Sequence, residues 1–378
     1  MAGLSSFERV KNTLDNKPVD HVATMVAPWP SAVAKWKQQG HIKEGEDVFD
    51  HFDCDIRLVF EWHLGGSMSS VADLDFKSVT IEEDEDTVLT QDGNGARLRN
   101  HKKHESTPEH VGFTVTNRAT WEERIKPFLV KLDRRRIDPA SHRKAIDAMH
   151  EKGRFVCGLG IAPFEQMQRV CGHEHMLLGM AEDSDWIKDM VMTYARFAIM
   201  HLETLFAEGG DPDAMFLCED MGFKDKPFMS PAMYREIMLP GHKLLFDFLH
   251  SRGLKVILHS CGFIEPLAPG LVEAGMDCLQ VMEVKAGVDM VRLARQFGGR
   301  ISFYGNIDAR HLIANDRVAL EREMREKISA VLRAGSGYIL GSDHSEPPEV
   351  EYETELFFTA KGREISREVF AALKSRRA

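Results

Sequence analysis

His259 and Cys261 stand two residues apart at the end of the apolar run Lys255-Val256-Ile257-Leu258, within His259-Ser260-Cys261-Gly262. Residues i and i+2 of a strand face the same side, so imidazole and thiol are expected to emerge together from a strand tip. One nitrogen and one sulfur donor form a set that zinc favours. Two donors do not complete a site, so other strand tips must contribute, and these are polar. Glu219 and Asp220 follow Phe216-Leu217-Cys218, and Glu283 follows Val281-Met282. Asn306 and Asp308 follow Phe303-Tyr304, and Asp343 and His344 follow Ile339-Leu340. Glu219, Asp220 and Asp343 are the candidates for delivering a proton or orienting a substrate. Glu219-Asp220 and Asp308 are equally suited to capping the helices that follow them.

Positioning such tips calls for a parallel barrel. From about residue 154 short β-branched runs alternate with long amphipathic stretches, the pattern of βα units. The predicted strands are Val22 to Ala27, Ile56 to Phe60, Phe155 to Leu159, Ala214 to Cys218, Val256 to His259, Cys278 to Met282, Ile301 to Gly305 and Tyr338 to Ser342. Eight runs separated by helices such as Pro231 to His250 and Arg317 to Leu332 match an α/β (β/α)8 TIM barrel. Residues 78–116 break the period. Their acidic run Glu82 to Asp86, the turn Asp92-Gly93-Asn94-Gly95 and the alternation Val88/Thr90 predict an inserted β-hairpin. No Pro-, Gly- or Ser-rich linker divides the chain, so residues 1–378 are read as one domain with an N-terminal elaboration.

A formal net charge of −11 over 378 residues lacks the cationic excess that nucleic acid or a membrane surface requires. No stretch approaches the ~20 apolar residues of a membrane span, and no secretory h-region opens the sequence, so the expectation is a cytoplasmic protein. The six cysteines are irregularly spaced, which fits reduced thiols and not a disulfide framework. Whether the chain forms a homo-oligomer is left open by spacing alone.

Four stretches between Gly210 and Pro348 resemble the uroporphyrinogen decarboxylase-like superfamily, in its zinc- and corrinoid-linked methyltransferase branch. They are Glu219-Asp220-Met221-Gly222 with Phe228-Met229-Ser230-Pro231; His259-Ser260-Cys261-Gly262 with Leu271-Val272-Glu273-Ala274-Gly275; Tyr304-Gly305-Asn306-Ile307-Asp308; and Gly341-Ser342-Asp343-His344-Ser345-Glu346-Pro347-Pro348. Arg9-Val10 through Pro18-Val19-Asp20-His21-Val22 is similar to the family's N-terminus. The decarboxylases proper carry arginines near the first strand to hold tetrapyrrole carboxylates. The matching Met25-Val26-Ala27-Pro28-Trp29-Pro30-Ser31 has none, which argues against a porphyrinogen substrate.

The methyltransferase branch holds zinc with a His, a Cys two residues on, and a Cys three residues before a Pro. The resemblance therefore implies Zn²⁺ on His259 and Cys261, with His344 standing where the second Cys is expected and Glu283 as a further ligand or a supporting partner. One thiolate and two imidazoles leave the ion at about +1 by ligand counting. The expected preference is then an oxygen-bearing substrate such as a methyl ether, over a thiol. The implied reaction moves a methyl group between a small molecule and a corrinoid (cobalamin), with tetrahydrofolate as another carrier in this branch. No Asp-x-His-x-x-Gly cobalamin signature is present, so the corrinoid is expected on a separate partner protein. Trp29, Glu61, Trp62, Tyr304 and Asn306 are the expected substrate contacts. The competing expectations are a decarboxylase of a small carboxylate, with Asp220 or Glu61 as proton donor, and a non-catalytic binding barrel.

Overall fold

The computed structural model describes residues 3–60, 68–103 and 108–375, with the side chain of residue 60 also outside the description. Eight parallel strands form one sheet: β1 (Ala23–Thr24), β2 (Ile56–Phe60), β7 (Phe155–Ile161), β8 (Ala214–Cys218), β9 (Lys255–Ser260), β10 (Cys278–Val281), β11 (Ser302–Tyr304) and β12 (Tyr338–Leu340). Their order is β1-β12-β11-β10-β9-β8-β7-β2. The two end strands meet through Asp55 N–H donating to Thr24 O at 2.9 Å and Thr24 N–H donating to the Asp55 carboxylate at 2.8 Å. The result is the expected (β/α)8 TIM barrel. Among the described residues no helix is long and apolar enough to cross a membrane.

The strands read as nearly continuous apolar runs because helices cover one face and side chains fill the barrel on the other. All of Phe155–Ile161 is buried, and Met215, Leu217, Val256, Leu258, Leu279 and Phe303 are fully enclosed. Each such large side chain stabilises the fold by roughly 1.5–3 kcal/mol relative to exposure. Ladder pairing stops short of the predicted run in β1, β10, β11 and β12, and runs past it in β7 and β9. β11 stops at Tyr304 because Gly305 and Asn306 both turn to positive φ, 97° and 62°, a conformation outside the extended region. Early departure turns these four tips into loops at the barrel mouth.

The predicted helix Pro231 to His250 runs from Pro231 to Ser251 with a π-turn at Tyr234–Met238. Pro240, just beyond that turn, has no N–H to give an i→i−4 bond, which explains why the regular helix is interrupted there.

The predicted hairpin is the centre of a larger insertion. β3 (Val79–Glu83), β4 (Thr87–Gln91), β5 (Ala96–His101) and β6 (Glu109–Phe113) form a four-stranded antiparallel meander, with the Asp92–Gly95 turn between β4 and β5. This sheet leans on the helix Pro163–Glu182 at its kink, where Gly172 has φ 68° and a Cβ would lie 2.3 Å from the Phe113 ring. Here glycine is required twice over, by φ and by space.

Candidate metal centre at the barrel mouth

Asp220, His259 and Cys261 converge at the C-terminal ends of β8 and β9, with one donor atom from each lying within 4.8 Å of the others. His259 Nε2 is 3.2 Å from Cys261 Sγ and 3.3 Å from Asp220 Oδ1. The approach is built by backbone. β8 and β9 pair with Cys218 opposite His259, and Glu219 N–H donates to His259 O at 2.9 Å. Beyond the strands, Gly222 lies against Gly262. A Cβ on Gly222 would meet Cys261 O at 2.3 Å, and one on Gly262 would meet the Gly222 carbonyl carbon at 2.4 Å. With the two loops in backbone contact, Cys261 N–H donates to Asp220 Oδ1 at 2.8 Å and Met221 N–H to Ser260 Oγ at 3.0 Å.

The donor set fits a zinc ion. Bonds of about 2.0–2.3 Å in a tetrahedron put ligand atoms about 3.3–3.6 Å apart, close to the two separations observed. His259 Nδ1 contacts Gln280 Oε1. An amide oxygen only accepts, so Nδ1 carries the proton and Nε2 keeps its lone pair for an ion. Gln280 is paired in register with His259 and is nearly buried. The field in the site also favours a cation. Burial pushes the His259 imidazole down, but the charge of Cys261 and the hydrogen bond to Asp220 outweigh it and hold the imidazole well above its usual value. For Asp220 burial again opposes ionisation, and its contact with His259 prevails and keeps the carboxyl low.

His344 does not join this cluster. It lines the same cavity, about 80 Å³ in volume, with His259, Cys261, Gln280, Tyr304 and Asp343, but its side chain is exposed and its Nδ1 accepts from Ser345 N–H at 3.1 Å. Glu283 accepts from Gly262 N–H at 2.9 Å and so braces the loop carrying Cys261. The remaining expected residues divide by burial. Glu219 is fully buried and points away from the mouth. Its oxygens accept from Phe164 N–H at 2.8 Å and Glu165 N–H at 3.0 Å, capping the helix Pro163–Glu182. His242 Nε2 lies 2.5 Å from the same carboxylate, and Tyr234 Oη 2.9 Å from His242 Nδ1. A carboxylate held by three hydrogen bonds inside the wall positions the loops.

Asp343 accepts from Ala309 N–H and Val284 N–H, both at 2.8 Å, strapping the β10 and β11 loops together. Burial pushes its carboxyl up. Asn306 is fully buried and donates to Met282 O and, at 3.2 Å, to Val288 O, which makes it a loop brace. Asp308 caps the short helix Ala309–Ile313. Tyr304 packs edge-on to Phe216 at 6.3 Å, and Phe216 stacks on His259 at 6.0 Å, so an aromatic ring packs behind the cavity-lining Tyr304 and His259. Trp29 is exposed at 42% beside Glu346, whose O accepts from Trp29 N–H. Glu61 and Trp62 lie outside the described residues.

Two residues at the site were not anticipated. Gln280 is a lone polar residue inside an apolar strand, a signal present in the sequence. Glu165, in the first turn of the helix after β7, is 3.6 Å from Arg169. Burial and the charge of Asp220 push its carboxyl up to about 7; only the fold places it near the centre.

The fold and site define a TIM-barrel enzyme class with a candidate metal centre at the strand tips. The uroporphyrinogen decarboxylase (URO-D) family model matches residues 117–364, and the chain belongs to that family. Its fold is shared with a methyltransferase from Methanosarcina mazei at a TM-score of 0.66, with 16% identity over 96% of this chain and 99% of that one. An uncharacterized protein matches at 10% identity and a TM-score of 0.30 over 75% of this chain and 83% of that one, too distant to inform the argument. No curated protein matches the sequence.

Proposed function

We propose that the protein is a zinc-dependent methyltransferase acting on a small methyl ether or related methoxylated compound. The observation that carries this reading is the convergence of Asp220, His259 and Cys261, with Gln280 fixing the tautomer of His259. These three residues would hold the ion, and His344 and Glu283 are further donors around the same cavity and loop. One carboxylate and one thiolate cancel the charge of Zn²⁺ by ligand counting, so the preference for an oxygen-bearing substrate rests on the hard carboxylate donor and not on the +1 expected from a two-imidazole set. Bound there, the ion supplies Lewis acidity toward the oxygen that carries or receives the methyl group. Tyr304 lines the cavity, and its volume of about 80 Å³ admits a methyl–oxygen fragment while the rest of the substrate lies in the mouth. Asp343 and Glu283 keep the loops in place. We assign the other methyl carrier to a corrinoid on a separate protein, with tetrahydrofolate as the alternative.

A second reading, metal-assisted decarboxylation of a small carboxylate, is favoured by the family itself. There Asp220 would act as proton donor, and no corrinoid would be consumed.

Elemental analysis of purified wild type and of His259→Ala, Cys261→Ala, Asp220→Ala and His344→Ala tests the centre. The expected result is roughly one zinc per chain, lost in the first three variants. A wild type free of metal despite protection from chelators overturns the methyltransferase reading. With metal bound, corrinoid-independent release of carbon dioxide selects the decarboxylase.

A further inference from the structure

The helices Met290–Phe297 and Arg317–Arg333 lie side by side on the outer wall of the barrel and leave between them a groove of about 820 Å³. The groove closes where Gly298 meets Ala334, since a Cβ on Gly298 would lie 2.5 Å from Ala334 O. These two residues come just before β11 and β12 in the chain, so the closed end is at the foot of the barrel. No residue lining the groove also lines the cavity beside His259. Arg295 comes from one helix, and Arg322, Arg325 and Arg333 from the other. Only Arg325 is neutralised, by Glu321 at 3.1 Å and Glu368 at 2.6 Å. Arg295, Arg322 and Arg333 are exposed and have no ion pair or hydrogen bond among the described residues. Glu326, the one acid lining the groove, pairs with none of them. Acids are not scarce in this chain, which has 59 Asp and Glu against 48 Lys and Arg. Exposed arginines elsewhere use them: Arg134 holds Glu208 at 2.7 Å, Arg235 holds Glu273 at 3.2 Å and Arg292 holds Glu265 at 2.5 Å. Like charges gathered on one surface repel, and here nothing in the fold offsets the repulsion.

We propose that this groove docks an acidic segment of a partner protein, laid between the two helices with its carboxylates on Arg295, Arg322 and Arg333. Spacing selects an extended ligand. Arg322 and Arg333 are eleven residues apart on one helix, which is about three turns, so they project from the same side about 16 Å from each other. A single phosphate or carboxylate does not bridge that distance. An extended chain rises about 3.3 Å per residue, so about five residues run from one arginine to the other. Each guanidinium fork matches a carboxylate in two parallel hydrogen bonds, and Ala294, Ser329 and Ala330 line the groove with short side chains that let a backbone approach. A partner held on the outer wall leaves the mouth open, and the docking does not depend on which reaction the metal centre performs.

Fluorescence anisotropy of a labelled hexaglutamate peptide titrated with the full chain tests this, with hexaglutamine and inorganic tripolyphosphate as competitors. Hexaglutamate is expected to bind, more weakly as NaCl rises from about 50 to 200 mM, and hexaglutamine is expected not to displace it. Arg322→Gln and Arg333→Gln should each weaken binding about two- to five-fold, the scale of an exposed ion pair, and the triple variant Arg295→Gln/Arg322→Gln/Arg333→Gln about ten-fold or more. Glutamine is about as good a helix former as arginine, so the helices persist in these variants. Arg134→Gln, which removes an arginine outside the groove, should bind as wild type does. A wild type that does not bind hexaglutamate, or a triple variant that binds it as wild type does, overturns the proposal. Tripolyphosphate binding more tightly than hexaglutamate also overturns it, in favour of a compact phosphate ligand. Salt-sensitive self-association of the wild type in sedimentation velocity, absent from the triple variant, overturns it as well, because the exposed acidic run Glu82 to Asp86 of another copy would then be the occupant.

Discussion

Beneath the mouth, Glu355 in the first turn of the helix Tyr352–Ser375 is fully buried, and neither of its carboxylate oxygens has a hydrogen-bond partner among the described residues. Its neighbour Glu346 is 1% exposed, and accepts from Ala27 N–H at 2.7 Å and Ser342 Oγ at 2.5 Å. Burial, reinforced by the charge of Glu346, pushes Glu355 well above the usual carboxylate range. Burial likewise pushes Glu346 up to about 7. The folded chain therefore holds protons that the unfolded chain releases near pH 4.5. The stability these groups contribute is fully present below that pH and is lost as pH rises toward the folded-state values. Each such proton changes stability by about 1.4 kcal/mol per pH unit. Glu355→Gln replaces the neutral acid with a neutral amide of the same shape and removes one of them. Urea unfolding followed by tryptophan fluorescence at pH 5.5, 6.5 and 7.5 should show the variant within about 1 kcal/mol of wild type at the lowest pH. It should gain on wild type as pH rises, by at most about 1.4 kcal/mol per pH unit. A gap that stays constant across the series, or one that favours wild type as pH rises, would refute the argument that Glu355 is buried as the acid.

Gln280→Leu should weaken zinc binding about 10–100-fold, the cost of losing a partner that orients a ligating histidine, as read by competition with a chromogenic chelator. Glu219→Ala strands His242 and two helix N–H groups inside the wall and is expected to cost about 3–5 kcal/mol of stability; a change below 1 kcal/mol would show that the cap is dispensable. Gly172→Ala, at φ 68° against the Phe113 ring, should loosen the inserted sheet, seen as faster amide exchange in β5 and β6 with β8 and β9 unaffected.

The barrel was legible because strand burial on two faces writes itself as apolar runs and the intervening helices carry their own punctuation. Ala214–Cys218 and Ile56–Phe60 occupy the predicted bounds, and Arg317–Arg333 extends its prediction by one residue. Strand ends were less legible, since Gly305 and Asn306 leave the sheet for tertiary reasons. The meander exceeded the predicted hairpin because exposed strands such as Val79–Glu83, with every residue exposed, carry little alternation to read.

The sequence alone determined that His259 and Cys261 share a face, because the period of a strand is a local property of the backbone. It likewise placed acids on neighbouring strand tips. Only the tertiary structure decided which acid joins them. Gly222 against Gly262 draws Asp220 to the pair, while a helix start captures Glu219, one residue earlier, and His344 remains across the cavity. Adjacent residues on a tip point in opposite directions, and what each one meets is set by loops distant in the chain, whose contact no spacing encodes.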